Sequence, residues 1–392
     1  MDLTQTDHLR AYGIVYHALK KGEKAEWLLN YRGGSFIIYD NNNFSANDCK
    51  ILGVQFEYLS AAEISSIRDK LQKANMDAVH LEKAPKIAVY VPPTKDPWDD
   101  AVRMALEYAN IPYDIVWDKE VLSGKLNKYD WLHLHHEDFT GQYGKFFYSY
   151  ASTEWYKEEV RINEAMAKKM GFKKVSELKK AVALKIKEFV TNGGFLFAMC
   201  SATETIDIAL ASLSTDIVPS VYDNDPIDKN YIKQLNYSNT FAFYNFIPEV
   251  NPYEYRHSDI DVKEEVYKRG EDTYFHLFNF SAKYDPVPTM LVQDHTDLIP
   301  EFLGQTTGFH KRFVKPGITI LAMVDNTDEV KYLHGEMGKG TFTFLAGHDP
   351  EDYKHYIGDP PTDLAKHKHS PGYRLILNNI LFPAAKKKKL KT

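Results

Sequence analysis

Short apolar runs alternate with amphipathic stretches along most of this chain, a pattern that predicts an α/β protein. Helical spacing marks residues 8–21 and 174–190, and Ser60 with Glu63 forms the capping box of a helix that extends to about Ala74. Further helices are expected from Asp96 to about Asn110 and over 372–381. The predicted strands are 25–29, 35–39, 86–91, 113–117, 129–135, 195–199, 317–324, 330–333 and 340–345.

Several of these strands lack polar positions, which is typical of parallel strands buried on both faces. We therefore predict a doubly wound, mostly parallel, flavodoxin-like sheet with a turn of the nucleophile-elbow type. Residues 1–84 would form an N-terminal α/β segment packed on a main domain at 85–385. Loop-rich insertions are expected at about 139–175 and 214–315, and a basic tail occupies 386–392.

Composition narrows the possible partners. The 392 residues carry a net charge of −6, which gives no reason to expect nucleic acid. No apolar run reaches about 18 residues, so no membrane span is expected. The two cysteines, Cys49 and Cys200, do not amount to a disulfide framework. These features predict a soluble protein without a cofactor, and its polar first residues do not form a signal peptide.

Cys200 directly follows the apolar run 195–199 and precedes the helix-starting residues Thr203 and Glu204. The order strand, sharp turn, helix holds a nucleophile above a sheet, close to backbone N–H groups that lower its pKa. Ala198 and Ala202 stand where such turns usually carry glycine. The alternative is a buried cysteine that only packs, since cysteine is among the most buried residue types.

His348 follows the predicted strand 340–345 and lies in the run Gly347-His348-Asp349-Pro350-Glu351. A cysteine nucleophile needs a base, and the base needs a carboxylate that orients it. His348 with Glu351 or Asp349 could supply both. The alternative is a structural turn that Asp349 and Pro350 shape.

A third polar cluster, His133 to Asp138, ends another predicted strand. Alternation places His133 and His135 on one side of it, and we expect His135, His136 and Glu137 to face a ligand. A zinc or other divalent ion on His133, His135 and Glu137 is an alternative, but no fixed ligand spacing such as H-E-x-x-H occurs. We therefore expect no metal.

Two stretches carry a family resemblance. The run from Val190 to the turn at Cys200, and the run Gly338 to Glu351, resemble ThuA-like proteins of the class I glutamine-amidotransferase-like superfamily. The resemblance implies Cys200, His348 and Glu351 as a triad that releases ammonia from glutamine, with the N–H groups of Ser201 and Ala202 at the oxyanion. ThuA-like members commonly lack the full triad and are associated with carbohydrate, notably trehalose, utilisation.

The whole chain also resembles a Bacteroidota group labelled asparagine synthetase B. The residues do not support that label, because Asp2 stands where an N-terminal nucleophilic cysteine would be and no S-G-G-x-D-S loop occurs. Members of that group carry an exported leader, which implies a periplasmic or envelope location if a leader precedes Met1. Otherwise a cytoplasmic location is expected.

Two hypotheses follow. The first is an enzyme in which Cys200 attacks an amide or related acyl bond of a small molecule with His348 as base. The second is a non-catalytic protein of the same fold that binds a carbohydrate or a protein partner. Thiol labelling separates them, because only the first requires a reactive Cys200.

Overall fold

The computed structural model describes residues 1–94 and 97–386, and its elements confirm the α/β class. The strands are β1 Lys24–Leu29, β2 Ser35–Tyr39, β3 Asp77–Leu81, β4 Ile87–Tyr90, β5 Asp114–Val116, β6 Trp131–Leu134, β7 Phe195–Met199, β8 Tyr274–Leu277, β9 Leu298–Pro300, β10 Phe309–His310, β11 Thr319–Val324, β12 Glu329–Met337 and β13 Gly340–Leu345. The helices are α1 His8–Lys20, α2 Phe44–Leu52, α3 Ala61–Lys73, α4 Ala101–Tyr108, α5 Asp118–Leu122, α6 Phe147–Tyr150, α7 Glu154–Met170, α8 Val175–Thr191, α9 Ala202–Ala211, α10 Ser220–Asp223, α11 Tyr231–Gln234, α12 Lys263–Val266, α13 Pro286–Leu291 and α14 Pro371–Leu381.

The first 84 residues contain a small sheet of their own, in which β1 pairs antiparallel with both β2 and β3. Ser60 caps α3 through the reciprocal bonds with Glu63 that the sequence predicted. Helix α1 packs against β1 and also against α4 and α14. Tyr12 on α1 donates a hydrogen bond to Asn378 Oδ1 on α14, at 2.5 Å between the oxygens. The N-terminal segment is thus joined directly to the last helix.

The second sheet is mixed. Its strands β5-β4-β6-β7-β13 are all parallel, whereas β12, β11, β8 and β9 continue from β13 as antiparallel neighbours and β10 pairs antiparallel with β12. The parallel half agrees with the sequence prediction and the other half differs from it. The cause is local: only Gly338 and Lys339 separate β12 from β13. A connection of two residues can join only antiparallel strands.

The segment 214–315, predicted to be loop-rich, contributes β8, β9 and β10 to this sheet. These strands have four, three and two residues, too few for an alternating pattern to emerge from the sequence. The helix predicted from Asp96 begins instead at Ala101, because the Asp100 side chain caps the N–H groups of Val102 and Arg103. Asp96 and the tail from Lys387 onward lie outside the described residues.

Helices cover both faces of the parallel strands. Phe195, Phe197 and Met199 of β7 pack in one cluster with residues of α1, α4 and α14. Leu196 and Ala198 of the same strand pack in a second cluster with residues of α5, α8 and α9. All five side chains are buried, and truncating Leu196 to Ala is expected to cost about 2–5 kcal/mol of unfolding free energy. Within residues 1–94 and 97–386, the helices are all too short or too polar to cross a membrane.

Candidate active site

The carboxyl ends of the parallel strands meet at one edge of the sheet, and the candidate residues lie there. Cys200 follows β7, His348 follows β13, His135 follows β6, and Asp99 with Asp100 follows β4. Leu345 pairs with Met199 in the ladder of β13 with β7, so both strands end at the same level. The parallel register therefore brings Cys200 and His348 together.

Cys200 lies between β7 and α9 with a φ of 49°, a backbone conformation that is rare for residues other than glycine. Its side chain is a free thiol, as is that of Cys49. Ala198, Ser201 and Ala202 beside it are fully buried, which fits the requirement for small neighbours at a sharp turn. The Ala202 N–H donates to the carbonyl of His135 at 3.1 Å. That amide is already engaged, so the structure does not offer it to an oxyanion as the sequence predicted.

The thiol of Cys200 lies beside the His348 side chain, and each group shifts the pKa of the other. Burial acts to raise the pKa of Cys200, but His348 and the backbone N–H groups of Gln305 and Thr306 outweigh it and lower that pKa to about 7. Burial acts to lower the pKa of His348, but Asp99 and Cys200 outweigh it and raise that pKa to about 10. The pair therefore favours a thiolate beside an imidazolium.

Two buried imidazoles, those of His135 and His133, form a chain behind His348. The Phe197 carbonyl can only accept, so the Nδ1 of His133, 3.0 Å away, carries a proton. His135 Nδ1 then donates to His133 Nε2, at 3.3 Å, which leaves His135 Nε2 to accept from His348 Nδ1, also at 3.3 Å. Burial, together with the charge of His348, lowers the pKa of His135 far below its ordinary value. This chain fixes the ring orientation of His348.

Asp99 is the carboxylate beside His348. Its Oδ1 lies 3.7 Å from His348 Nε2, and its backbone carbonyl lies 3.1 Å from the same nitrogen. Neither residue that the sequence proposed for this role contacts His348. Asp349 accepts hydrogen bonds from Tyr373 and Thr362, and Glu351 Oε2 pairs with His367 Nδ1 at 2.7 Å. Asp349 instead shapes the turn by accepting from the Glu351 N–H, which was the structural alternative.

The alternative metal set of His133, His135 and Glu137 does not assemble. Glu137 Oε2 accepts the His135 backbone N–H at 2.7 Å, so this carboxylate holds the strand end rather than facing His133. Burial raises the pKa of Glu137. The His136 ring lies 5.7 Å from that of His348, roughly parallel to it, and touches Trp98 edge-on. His135 and His136 therefore adjoin His348, whereas Glu137 plays a structural part.

Residues of the 214–315 segment cover the thiol, and the sequence did not single them out. Gln305 and Thr306 direct their N–H groups to Cys200. Burial lowers the pKa of Lys263, and its charge interacts with that of Cys200. The Lys263 Nζ lies 4.4 Å from the centre of the Tyr255 ring. Cys200 is only 2% exposed, so a substrate reaches it only when these covering segments move.

Two other missed residues carried a usable signal. Asp99 follows strand β4, at the same edge of the sheet as Cys200. His355 follows His348 in the segment between β13 and α14. Acidic residues and histidines after parallel strands collect at one edge, so the topology alone would have nominated Asp99. No such rule singles out Gln305 or Lys263, since neither follows a predicted strand.

Comparison with known proteins gives no family. No family model and no curated protein matches the chain. Among solved structures it is similar to two cytoplasmic proteins of Salmonella typhimurium. One is 14% identical with a TM-score of 0.37 and the other 13% identical with a TM-score of 0.35, each over 77% of this chain and 100% of that chain. It is also similar to a variant of a GH42 β-galactosidase of G. stearothermophilus, at 12% identity and a TM-score of 0.26 over 67% of this chain and 27% of that one. These remote likenesses assign no activity to the chain.

Proposed function

We propose that this protein is a cysteine-dependent hydrolase of an amide or related acyl bond in a small molecule. The observation that carries the proposal is the pairing of the Cys200 thiol with His348, two residues that follow different strands and shift each other's pKa. A nucleophile and a base in contact, with a carboxylate behind the base, form the constellation of acyl-transfer enzymes. Here the carboxylate is Asp99, which lies beside His348 Nε2, and His135 occupies Nδ1, so Nε2 is the nitrogen that exchanges protons.

The reaction follows from these positions. The Cys200 thiolate attacks the carbonyl carbon, and the N–H groups of Gln305 and Thr306 stabilise the negative oxygen that forms. His348 gives its proton to the leaving amine, so that a thioester remains on Cys200. Water then attacks the thioester as His348 takes its proton. Release of the acid returns the thiolate and the imidazolium with which the cycle began.

The finer features of the fold belong to the same proposal. Five parallel strands with helices on both faces support a doubly wound, flavodoxin-like arrangement of that half of the sheet. The positive φ of Cys200 between β7 and α9 supports a turn of the nucleophile-elbow type. Both features are those that the resemblance to ThuA-like and amidotransferase-like proteins implied. Asp99 would replace the glutamate of that family's triad.

Thiol labelling followed by substrate screening tests the proposal. We expect iodoacetamide to modify Cys200 at neutral pH, as read by peptide mass spectrometry, and His348→Asn to slow this at least tenfold. Cys49 is the matched control, because burial raises the pKa of this second buried thiol to about 11. Ammonia or chromophore release from glutamine, simple amides and thioesters should vanish in Cys200→Ala and persist in Cys49→Ala. An unreactive Cys200 that can be replaced without effect contradicts the proposal.

One observation favours the second candidate, a binding protein. Tyr148 and Tyr253 come from the two predicted insertions, are 69% and 64% exposed, and hold their rings 5.5 Å apart. Exposed aromatic rings of this kind stack on sugar faces. If the protein is a carbohydrate-binding protein, Tyr148→Ala should abolish glycan binding in titration calorimetry while Cys200→Ala leaves it intact. Loss of binding in Cys200→Ala would favour the enzyme instead.

A further inference from the structure

Asp99 carries a buried carboxylate that the described residues leave without a hydrogen bond. Its side chain is 12% exposed, and neither Oδ1 nor Oδ2 has a hydrogen-bond partner. Oδ1 instead faces two imidazole nitrogens, His348 Nε2 and His355 Nε2, each at 3.7 Å. A buried carboxylate without hydrogen bonds is costly, which suggests that it has a partner of another kind.

His355 is built into the same spot. Its side chain is 7% exposed, and its Nδ1 donates to Asp352 Oδ2 at 3.0 Å. Its Nε2 therefore carries a lone pair, and among the described residues that nitrogen has no hydrogen-bond partner. The residue also has a φ of 38°, and its ring stacks on that of His348 at 3.9 Å between centroids. Unusual backbone conformations of this kind cluster at ligand sites.

We propose that Asp99 Oδ1, His348 Nε2 and His355 Nε2 bind one divalent transition-metal ion such as Zn²⁺. One donor atom from each residue lies within 4.8 Å of the other two. A tetrahedral ion with bonds of about 2.0–2.1 Å places neighbouring donor atoms about 3.3 Å apart. The 3.7 Å separations need a few tenths of an ångström of closure, and one of the two nearly parallel imidazole rings must also turn so that both Nε2 lone pairs meet at the ion. Two imidazoles and one carboxylate leave a coordination position for water.

The residues that hold the two histidine rings in place fit the proposal. Asp352 holds His355 through Nδ1, and His135 holds His348 through Nδ1, so each ring is turned with Nε2 toward Asp99. Metal-binding histidines almost always donate their other ring N–H to a carboxylate or similar acceptor, which fixes ring and tautomer. On binding, His348 Nε2 releases its proton to solvent and exchanges its contact with the Asp99 carbonyl for the ion.

Two neighbouring groups of side chains fit an ion less well. His135 belongs to both, in one with His136 and His348 and in the other with Asp100 and His133. Both ring nitrogens of His135 are already engaged, Nδ1 with His133 and Nε2 with His348. Asp100 Oδ1 already accepts two backbone N–H groups at the start of α4. The unsatisfied donors therefore concentrate on Asp99 and His355.

Occupancy has a consequence for Cys200. An ion on His348 Nε2 holds the lone pair that a base needs and prevents the ring from becoming an imidazolium. Metal binding would thus leave the Cys200 thiol without its base and make it unreactive. The inhibition rests on the proposed function, whereas the binding does not.

The test begins with Zn²⁺ binding to the chelator-treated full chain, measured by competition with a chromophoric chelator. We expect one tight ion per chain, at least about 100-fold weaker binding in Asp99→Asn and His355→Gln, and a loss of about 10–100-fold in Asp352→Asn. His310→Gln is the matched control, because this largely buried histidine also pairs with an aspartate through Nδ1, at 3.0 Å to Asp328. Equal affinity in the wild type, Asp99→Asn and His355→Gln overturns the proposal, as does the absence of a tight stoichiometric ion.

Two further arms keep binding and function distinct. Cys200→Ala should bind Zn²⁺ as the wild type does, and the Co²⁺ form should lack a thiolate-to-cobalt charge-transfer band. Such a band, or lost binding in Cys200→Ala, contradicts the ligand set. Zn²⁺ should slow Cys200 alkylation at least tenfold, and a chelator should restore it. Unchanged alkylation with Zn²⁺ bound overturns the inhibition alone, and an unreactive metal-free Cys200 overturns the proposed function alone.

Discussion

Gly304 closes over Cys200: a Cβ at Gly304 would lie 3.0 Å from the Cys200 sulfur. The same Cβ would meet the backbone of His348 at 3.0 Å and of Gly347 at 3.1 Å. The His348 N–H also donates to the Leu303 carbonyl at 2.9 Å. The covering segment is thus fastened to the strand end that carries the base, which explains how an activated thiol stays shielded from water.

Gly304→Ala should therefore disturb both stability and the thiol. Because the atoms it meets include rigid backbone, we expect about 1–3 kcal/mol lower unfolding free energy in urea titrations. The covering segment should move outward, so iodoacetamide should reach Cys200 faster than in the wild type. The double variant with Cys200→Ala should recover part of the lost stability, since one close contact is gone. Additive losses would show that the Sγ contact does not matter.

The two acidic residues that follow His348 should prove dispensable for the thiol. Glu351 pairs with His367, and Asp349 accepts from Tyr373 and Thr362. We expect Glu351→Gln to leave the rate of Cys200 alkylation within about twofold of the wild type. Asp349→Ala should lower the unfolding free energy by about 1–3 kcal/mol, because two buried hydrogen-bond donors lose their acceptor. A tenfold slower alkylation in Glu351→Gln would instead support Glu351 as the acid of the triad that the family resemblance implies.

A buried ion pair between α8 and α5 should contribute more than surface pairs do. Lys179 Nζ lies 2.9 Å from Asp118 Oδ2, and their side chains are 8% and 0% exposed. Lys179→Met leaves a buried carboxylate without its cation, which we expect to cost about 3–5 kcal/mol in urea unfolding. Lys185→Met on the same helix is the control, because its pair with Glu188 is half exposed. Equal effects of the two variants would contradict this account.

His334 should make the fold sensitive to acid. It is buried within β12 against Thr343, and burial lowers its pKa from 6.5 to about 4. The unfolded chain therefore takes up this proton first, and stability is lost as the pH falls from about 6.5 to about 4. The full effect is about 3 kcal/mol at lower pH. His334→Gln should flatten the fall of unfolding free energy over this interval, and an unchanged slope would contradict the assignment.

The sequence predictions that the structure confirms rest on strong local patterns. The run 195–199 is apolar at every position and bounded by Gly194 and Cys200, so β7 was predicted residue for residue. The capping box of Ser60 and Glu63 likewise placed the start of α3. Cys200 and His348 could be nominated because each follows such a strand.

Features that depend on distant parts of the chain were missed. Glu351 stands where the family's acid would be, but the turn at Asp349 directs it to His367, and Asp99 from another strand end adjoins His348. Strand β8 has too few residues to show a period and is held in the sheet by β11 and β9. The start of α4 was misplaced because Asp100, rather than Asp96, supplies the cap. Tertiary contacts decide each of these points.

The pairing of β7 with β13 also determines when, during synthesis of the chain, the Cys200 thiol acquires its proposed reactivity. During translation Cys200 leaves the ribosome long before His348, and Gln305 and Thr306 follow it only much later. Until β13 is synthesised and docks beside β7, the cysteine has neither its base nor its backbone donors and keeps the low nucleophilicity of an ordinary thiol. Under the proposed function, the nascent chain therefore carries only an ordinary thiol at Cys200, because its activation depends on the finished sheet.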